Sequence, residues 1–168
     1  MSGRVPQVAV LMGSASDFPR LQEAIDVLKR FEIPYEVEVC SAHRTPERTR
    51  EYALGAAERG LKVLVVAAGG AAHLAGVVAA HSLLPVVAVP VNATSLGGMD
   101  ALLASVQMPA GVPVACVAID GAYNAALLAV RILALSEPAL AKRLVAYREE
   151  LEAKTLRRAE ELKRELEK

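Results

Sequence analysis

A histidine followed at once by an arginine, in Ser41-Ala42-His43-Arg44-Thr45-Pro46, sets a proton carrier beside an anion clamp. Imidazole changes charge near neutral pH, and a guanidinium grips phosphate or carboxylate through parallel bonds. Structural histidines are common, so this segment alone leaves both catalysis and packing open for His43. A second segment, Gly13-Ser14-Ala15-Ser16-Asp17, offers hydroxyls and backbone N–H groups at a helix start, which suits a single phosphate. It matches neither the dinucleotide-binding GxGxxG pattern nor the P-loop pattern. Asp17 could accept hydrogen bonds from sugar hydroxyls, but ordinary helix capping by Ser16 or Asp17 explains the same residues. A third segment, Ala68-Gly69-Gly70-Ala71-Ala72-His73-Leu74, has no formal charge, and its glycines let backbone approach a ligand closely. His73 there could orient a partner or simply pack. His81 stands about 12 Å further along the same helix, too far to share a metal with His73, and no other cluster suggests a metal site. Cys40 lies close enough to His43 for a Cys–His nucleophile to be weighed. Its place at a strand end and the usual burial of free cysteines favour packing. Cys116 reads as core.

Each segment must be held by regular structure. Val8–Met12 is a continuous apolar run, as in a strand buried on both faces. A helix with Pro19 near its first turn follows to about Phe31, with Leu21, Ile25 and Leu28 at helical spacing. Tyr35–Cys40 alternates as a second strand. Thr45, as cap, opens a second helix that Gly60 ends. Val63–Ala67 and Pro85–Val89 read as strands separated by a helix over Ala72–Ser82. After Gly97-Gly98 come a short helix (Asp100–Gln107), a fifth strand (Pro113–Ile119) and a further helix (Tyr123–Leu135). Strands alternating with helices at this spacing predict a parallel sheet covered on both faces. The three candidate segments then fall in loops at the carboxyl ends of strands, where open α/β sheets bind ligands.

The 168 residues fit one domain, 1–168, comprising an α/β core over 8–135 and a C-terminal helix over 137–168. With 54% hydrophobic residues, 23% charged residues and 19 Lys and Arg balancing 19 Asp and Glu, disorder and a general polyanion binder are excluded. Two cysteines without a CxxC spacing make a reducing cytoplasm the default. Arg4, Pro6 and Gln7 interrupt any apolar stretch before Val8, so no signal peptide is expected. Charge is unevenly placed: 17 of the 32 residues from Glu137 onward are charged, whereas Val63 to Ala118 holds only Asp100. Length would let that neutral stretch cross a membrane, but Gly69-Gly70, His73, Gly76, His81, Ser82 and Pro85 divide it into short pieces. A soluble protein is expected.

Two features point to assembly. The helix over Ala72–Ser82 is apolar all round, more than one sheet can cover. The C-terminal helix would span roughly 45 Å, beyond the width of a small domain. Its Leu140, Leu144, Leu151 and Leu162 need a surface, and the reading is that it reaches a neighbouring subunit. A frayed, solvated tail is the alternative.

Taken together, Met12-Gly-Ser-Ala-Ser-Asp17, Ser41-Ala-His-Arg-Thr-Pro46 and Ala68-Gly-Gly-Ala-Ala-His-Leu74 resemble the class I N5-carboxyaminoimidazole ribonucleotide mutases of purine biosynthesis. Leu84-Pro-Val-Val-Ala-Val-Pro-Val91, Val106-Gln-Met-Pro109, Gly111-Val-Pro-Val114 and Asn124-Ala-Ala-Leu-Leu-Ala129 extend the likeness from about Val8 to Leu135. The resemblance implies a flavodoxin-like, three-layer α/β/α fold with a mostly parallel five-stranded sheet, and a cytoplasmic homo-octamer whose C-terminal helices pack on neighbours. It implies that Ser14 and Arg44 face the substrate phosphate, Asp17 the ribose, and that His43 is the general acid and base. Gly69, Gly70, Ala71, His73 and Leu74 would close over the carboxylate or released CO2, with Gly13, Ser16, Ser41 and Ala42 completing the substrate pocket. No cofactor, metal, membrane or nucleic acid is implied, and the enzyme supplying the N5-carboxylated substrate would be a transient partner.

Three departures stand out. Ala75 replaces a frequent proline, Phe18 a frequent tryptophan, and the segment Ile119–Asn124 is two residues short and carries Asp120. Two other functions compete. One is direct carboxylation of aminoimidazole ribonucleotide, as in class II relatives, which carry lysine where Arg44 stands. The other is a non-catalytic, flavodoxin-like nucleotide-binding module.

Overall fold

Strand and helix alternate through residues 5–167, which the computed structural model describes; Arg4 of the signal-peptide reading and Lys168 of the last helix lie outside the described residues. The strands are β1 (Val8–Met12), β2 (Tyr35–Val39), β3 (Val63–Gly69), β4 (Val86–Val91) and β5 (Ala115–Cys116). The helices are α1 (Phe18–Arg30), α2 (Pro46–Gly55), α3 (Leu74–His81), α4 (Met99–Val106), α5 (Ala122–Ala134) and α6 (Pro138–Leu166), with a single 3-10 turn over Ala15–Asp17 before α1. All strand pairings are parallel, in the order β2-β1-β3-β4-β5. This is the flavodoxin-like doubly wound order, whose switch point lies between β1 and β3.

Period-two alternation divides the sheet residues between its faces. Ala9 and Leu11 of β1, Leu64 and Val66 of β3, and Val86 and Ala88 of β4 share one cluster with Ala53 of α2, Ala56 at its C-terminal end, and Leu74, Ala75 and Val78 of α3. The chain steps from β1 to β2 in one direction and from β2 to β3 in the other. Right-handed crossovers therefore set α1 on the opposite face, where Leu21, Ala24, Ile25 and Leu28 are among its buried residues.

Element ends differ from the sequence reading for local reasons. Strand β5 keeps two residues of the expected Pro113–Ile119, because Pro113 has no N–H and Asp120 turns into the left-handed region at φ 53°. Pro90 is tolerated inside β4 because β5 stops pairing at Ala88. Helix α2 ends at Gly55 rather than Gly60. The latter, at φ 94°, closes a later turn in which a Cβ would sit 2.5 Å from Val5.

Two compact units make up the chain, Met1–Ile132 with the whole sheet, and Leu133–Lys168 with α6. The 29 residues of α6 correspond to about 44 Å of helix. Leu140 and Tyr147 are its buried residues, while Leu151, Leu156, Leu162 and Leu166 are exposed. Among the described residues no helix is long and apolar enough to cross a membrane.

Candidate active site

Because β2 and β3 flank β1, the loops leaving their carboxyl ends converge on the loop after β1. Ser14, in extended backbone, caps the 3-10 turn: the backbone N–H and the hydroxyl of Ser16 donate to its Oγ at 3.3 and 2.8 Å. Neither Ser16 nor Asp17 serves as the cap expected for α1, since Asp17 precedes that helix in helical conformation with no side-chain capping bond. Thr45 likewise does not cap α2. Its Oγ1 accepts from the Ser41 N–H (3.0 Å) and donates to the Ser41 carbonyl (3.2 Å), tying the 41–45 loop into a closed turn.

Across these loops lies Arg44. Its Nη2 donates to the Gly13 carbonyl at 2.7 Å and its Nε to Ser41 Oγ at 3.3 Å, so the guanidinium joins the β1 and β2 loops. His43 reaches the other way. Its Nε2 stands 2.7 Å from His73 Nδ1, with the rings edge-on at 82°. Only one of the two facing nitrogens can carry the shared proton, so each ring fixes the tautomer of the other.

A cavity of about 400 Å³ opens between the three loops. Gly13, Ser14, Ser16, Asp17, Ser41, Ala42, His43, Arg44, Gly69, His73 and Leu74 line it, all residues singled out from the sequence. Gly70 and Ala71 do not. Gly70, at φ 61°, forms the turn closed by the bond from Ala72 N–H to the Gly69 carbonyl at 3.2 Å, and Ala71 is exposed. Ala68, Ala72 and Ala93 also line the cavity. The first two belong to the β3-end motif, whereas Ala93 carried no signal beyond lying just past β4, the strand next to β3. A Cβ on Gly69 would come 2.6 Å from that of Ala93, so the close approach of these loops requires glycine.

Burial pushes the Asp17 carboxyl above its ordinary 3.8, against the opposing pull of a Ser14 backbone hydrogen bond, Arg20 and Arg44. The native state thus holds the proton more tightly than the unfolded chain. Stability from this group is full below about pH 3.8 and lost as pH rises through the higher native value. Asp17→Asn should therefore raise the melting temperature at pH 7, with the gain vanishing toward about pH 3. Thermal melts across that range check it, and an unchanged or lower melting temperature at pH 7 contradicts it.

Ala72 holds φ 46° while 5% exposed, an unusual backbone for alanine directly before His73. Ala72→Gly should stabilise the fold by about 0.5–1 kcal/mol through relief of this strain. Denaturant titration reads that change, and a loss of stability would deny the strain.

Cys40 is wholly buried, and burial pushes its thiol up, the reverse of an activated nucleophile. Cys116, read as core, is only half-buried. His81 occupies the last turn of α3 outside the cavity lining. Among the described residues no group of three or more His, Cys, Asp or Glu side chains is arranged to hold a metal.

Fold and cavity together define a doubly wound α/β protein with a cavity at the switch point, lined by Asp17 and Arg44 on one wall and by the glycine- and alanine-rich β3 loop on the other. The AIR carboxylase family model matches residues 7–154, and the chain belongs to that family. An N5-carboxyaminoimidazole ribonucleotide mutase of Pyrococcus abyssi is 54% identical over 147 residues, 88% of this chain and 84% of that protein. One from Mycobacterium tuberculosis is 57% identical over 150 residues, 89% and 86% of the two chains. Among solved structures, a single-substitution variant of Treponema denticola PurE2 superimposes with a TM-score of 0.83 at 30% identity, covering 91% of this chain and 95% of that one. Treponema denticola PurE gives 0.79 at 33% identity, covering 90% and 94%.

Proposed function

We propose that the chain is an N5-carboxyaminoimidazole ribonucleotide mutase, moving the carboxylate from the exocyclic N5 to C4 of the imidazole in purine biosynthesis. The observation that carries this is the His43–His73 pair in a cavity with Ser14, Asp17 and Arg44 on one side and the neutral Gly69–Leu74 loop on the other. The names borne by relatives more than half identical to it agree.

In this reading Arg44 and Ser14 take the phosphate and Asp17 the ribose hydroxyls. The protonated His43 delivers its proton to N5 as the N–C bond of the carbamate breaks, releasing CO2 and leaving aminoimidazole ribonucleotide. C4 then attacks the same CO2 to form the C–C bond, and neutral His43 removes the C4 proton, restoring aromaticity. The proton lent to nitrogen is returned from carbon, so the cycle closes without an external acid or base. His73, holding one His43 nitrogen, keeps the other aimed at substrate. Backbone and methyl groups of Gly69, Ala72 and Leu74 exclude water, and with it the escape of CO2.

Substrate choice is the test. Purified protein is given N5-carboxyaminoimidazole ribonucleotide, or aminoimidazole ribonucleotide with bicarbonate, and the C4-carboxylated product is followed. Fast turnover of the first alone supports the mutase. The family description, AIR carboxylase, favours direct carboxylation as the second reading, and preference for the second substrate pair would establish it. Silence with both, in protein that binds the nucleotide, would leave a binding module.

We further propose a cytoplasmic homo-octamer in which α6 reaches a neighbouring subunit. The exposed Leu151, Leu156 and Leu162 of α6 support assembly, as do Met99, Leu103 and Val106, an exposed stripe at helical spacing on α4. Light scattering should give a particle several times the monomer mass, and deletion of 151–168 should weaken it. A monomer at micromolar concentration would refute this.

A further inference from the structure

The β5–α5 connection carries an acidic residue at a position of unusual backbone. Asp120 holds φ 53°, its backbone N–H donates to the Pro90 carbonyl at 2.8 Å, and its Oδ1 accepts the Asn92 N–H at 3.1 Å. These bonds fix its carboxylate at the carboxyl end of β4, and its second oxygen, Oδ2, takes Arg20 Nη1 at 2.5 Å. Arg20 lies in the first turn of α1, three residues after Asp17, the spacing at which an acid and a following base pair on one helix face. The other guanidinium acting on Asp17, that of Arg44, is likewise engaged elsewhere, on the Gly13 carbonyl and Ser41 Oγ. Both cations near the Asp17 carboxylate are thus fastened to acceptors of their own.

We propose that Asp120 is a positioning residue for the substrate site: by fastening Arg20 it keeps the Asp17 carboxylate open to accept hydrogen bonds from the ribose. Released from Asp120, Arg20 has Asp17 three residues before it and Glu23 three residues after. The pair with the acid on the N-terminal side is better oriented, so the guanidinium turns to Asp17 and competes with substrate. This rests on the mutase reading only for the identity of the sugar.

Asp120→Asn isolates the effect. Asparagine tolerates the left-handed backbone and keeps an oxygen for the Asn92 N–H, while its amide group cannot hold Arg20. The substitution should raise KM for N5-carboxyaminoimidazole ribonucleotide about five- to twentyfold with kcat within about twofold. Arg20→Gln alone, which removes the competitor, should leave KM within about twofold of the wild type, and the double variant Arg20→Gln/Asp120→Asn should return to that value. A role limited to bridging β5–α5 and α1 predicts instead that all three variants are equally impaired, which would overturn the proposal. A crystal structure of Asp120→Asn gives a readout independent of activity. The Arg20 guanidinium should lie within about 4 Å of the Asp17 carboxylate, and a guanidinium directed elsewhere overturns the proposal. If the wild type fails to turn over the ribonucleotide, the mutase reading falls, while the crystal structure still decides the Arg20 switch.

Discussion

Replacing His43 by asparagine should lower kcat by at least about a hundredfold, and toward background, while affinity for aminoimidazole ribonucleotide stays within about tenfold. Asparagine follows the imidazole only as far as its Nδ1, so it also gives up the 2.7 Å contact that His43 Nε2 makes with His73 Nδ1 in the native site. It cannot accept a proton and return it. On the proposed reading the binding groups are untouched, since the phosphate and ribose contacts are assigned to other residues of the cavity. Single-turnover measurement of the C4-carboxylated product, with calorimetry for affinity, separates the two quantities. A variant with near-normal rate would remove His43 from the chemistry.

Arg44→Ala should act on the other parameter. On the proposed assignment of Arg44 to the phosphate, losing that contact weakens substrate binding by about 1.5–3 kcal/mol, roughly a ten- to hundredfold rise in KM. Part of that comes from the protein itself, because Arg44 also joins Gly13 and Ser41 across two loops. Arg44→Lys keeps the charge but loses the fork that spans both acceptors, so its KM should fall between the wild type and Arg44→Ala. Unchanged KM in both variants would place the phosphate elsewhere.

Much of this was legible in the chain. Short, β-branched apolar runs such as Val8–Met12 and Val63–Ala67, bounded by glycine-containing segments, read as buried strands, which sets the segments after them at one end of the sheet. Residue type and neighbours brought the serines, Asp17, His43, Arg44 and His73 to one cavity. What escaped was what depends on strand order. The His43–His73 contact arises because β2 and β3 sit on either side of β1, and no spacing of 30 residues announces that. Ala93 lacks any polar group to mark it, and it joins the site only because β4 lies beside β3. The capping expected of Ser16 and Thr45 fails for a different reason: several hydroxyls compete within each short turn, and loop geometry chooses Ser14 in one and the Ser41–Thr45 closure in the other.

The uneven placement of charge has a consequence for how the site answers its surroundings. Strand β2 carries ion pairs, Glu36 with Arg59 and Glu38 with Arg48, while everything from β3 to β5 holds the single charge of Asp100. The cavity straddles this seam, taking Asp17 and Arg44 from one side and the Gly69–Leu74 wall from the other. Dissolved ions screen the first side and find almost nothing to screen on the second. On the proposed reading, rising ionic strength loosens the hold on the nucleotide but leaves the trap for carbon dioxide as tight as before. A briny cell would see an enzyme that captures its substrate less often, yet commits each captured molecule to product as faithfully as in dilute solution.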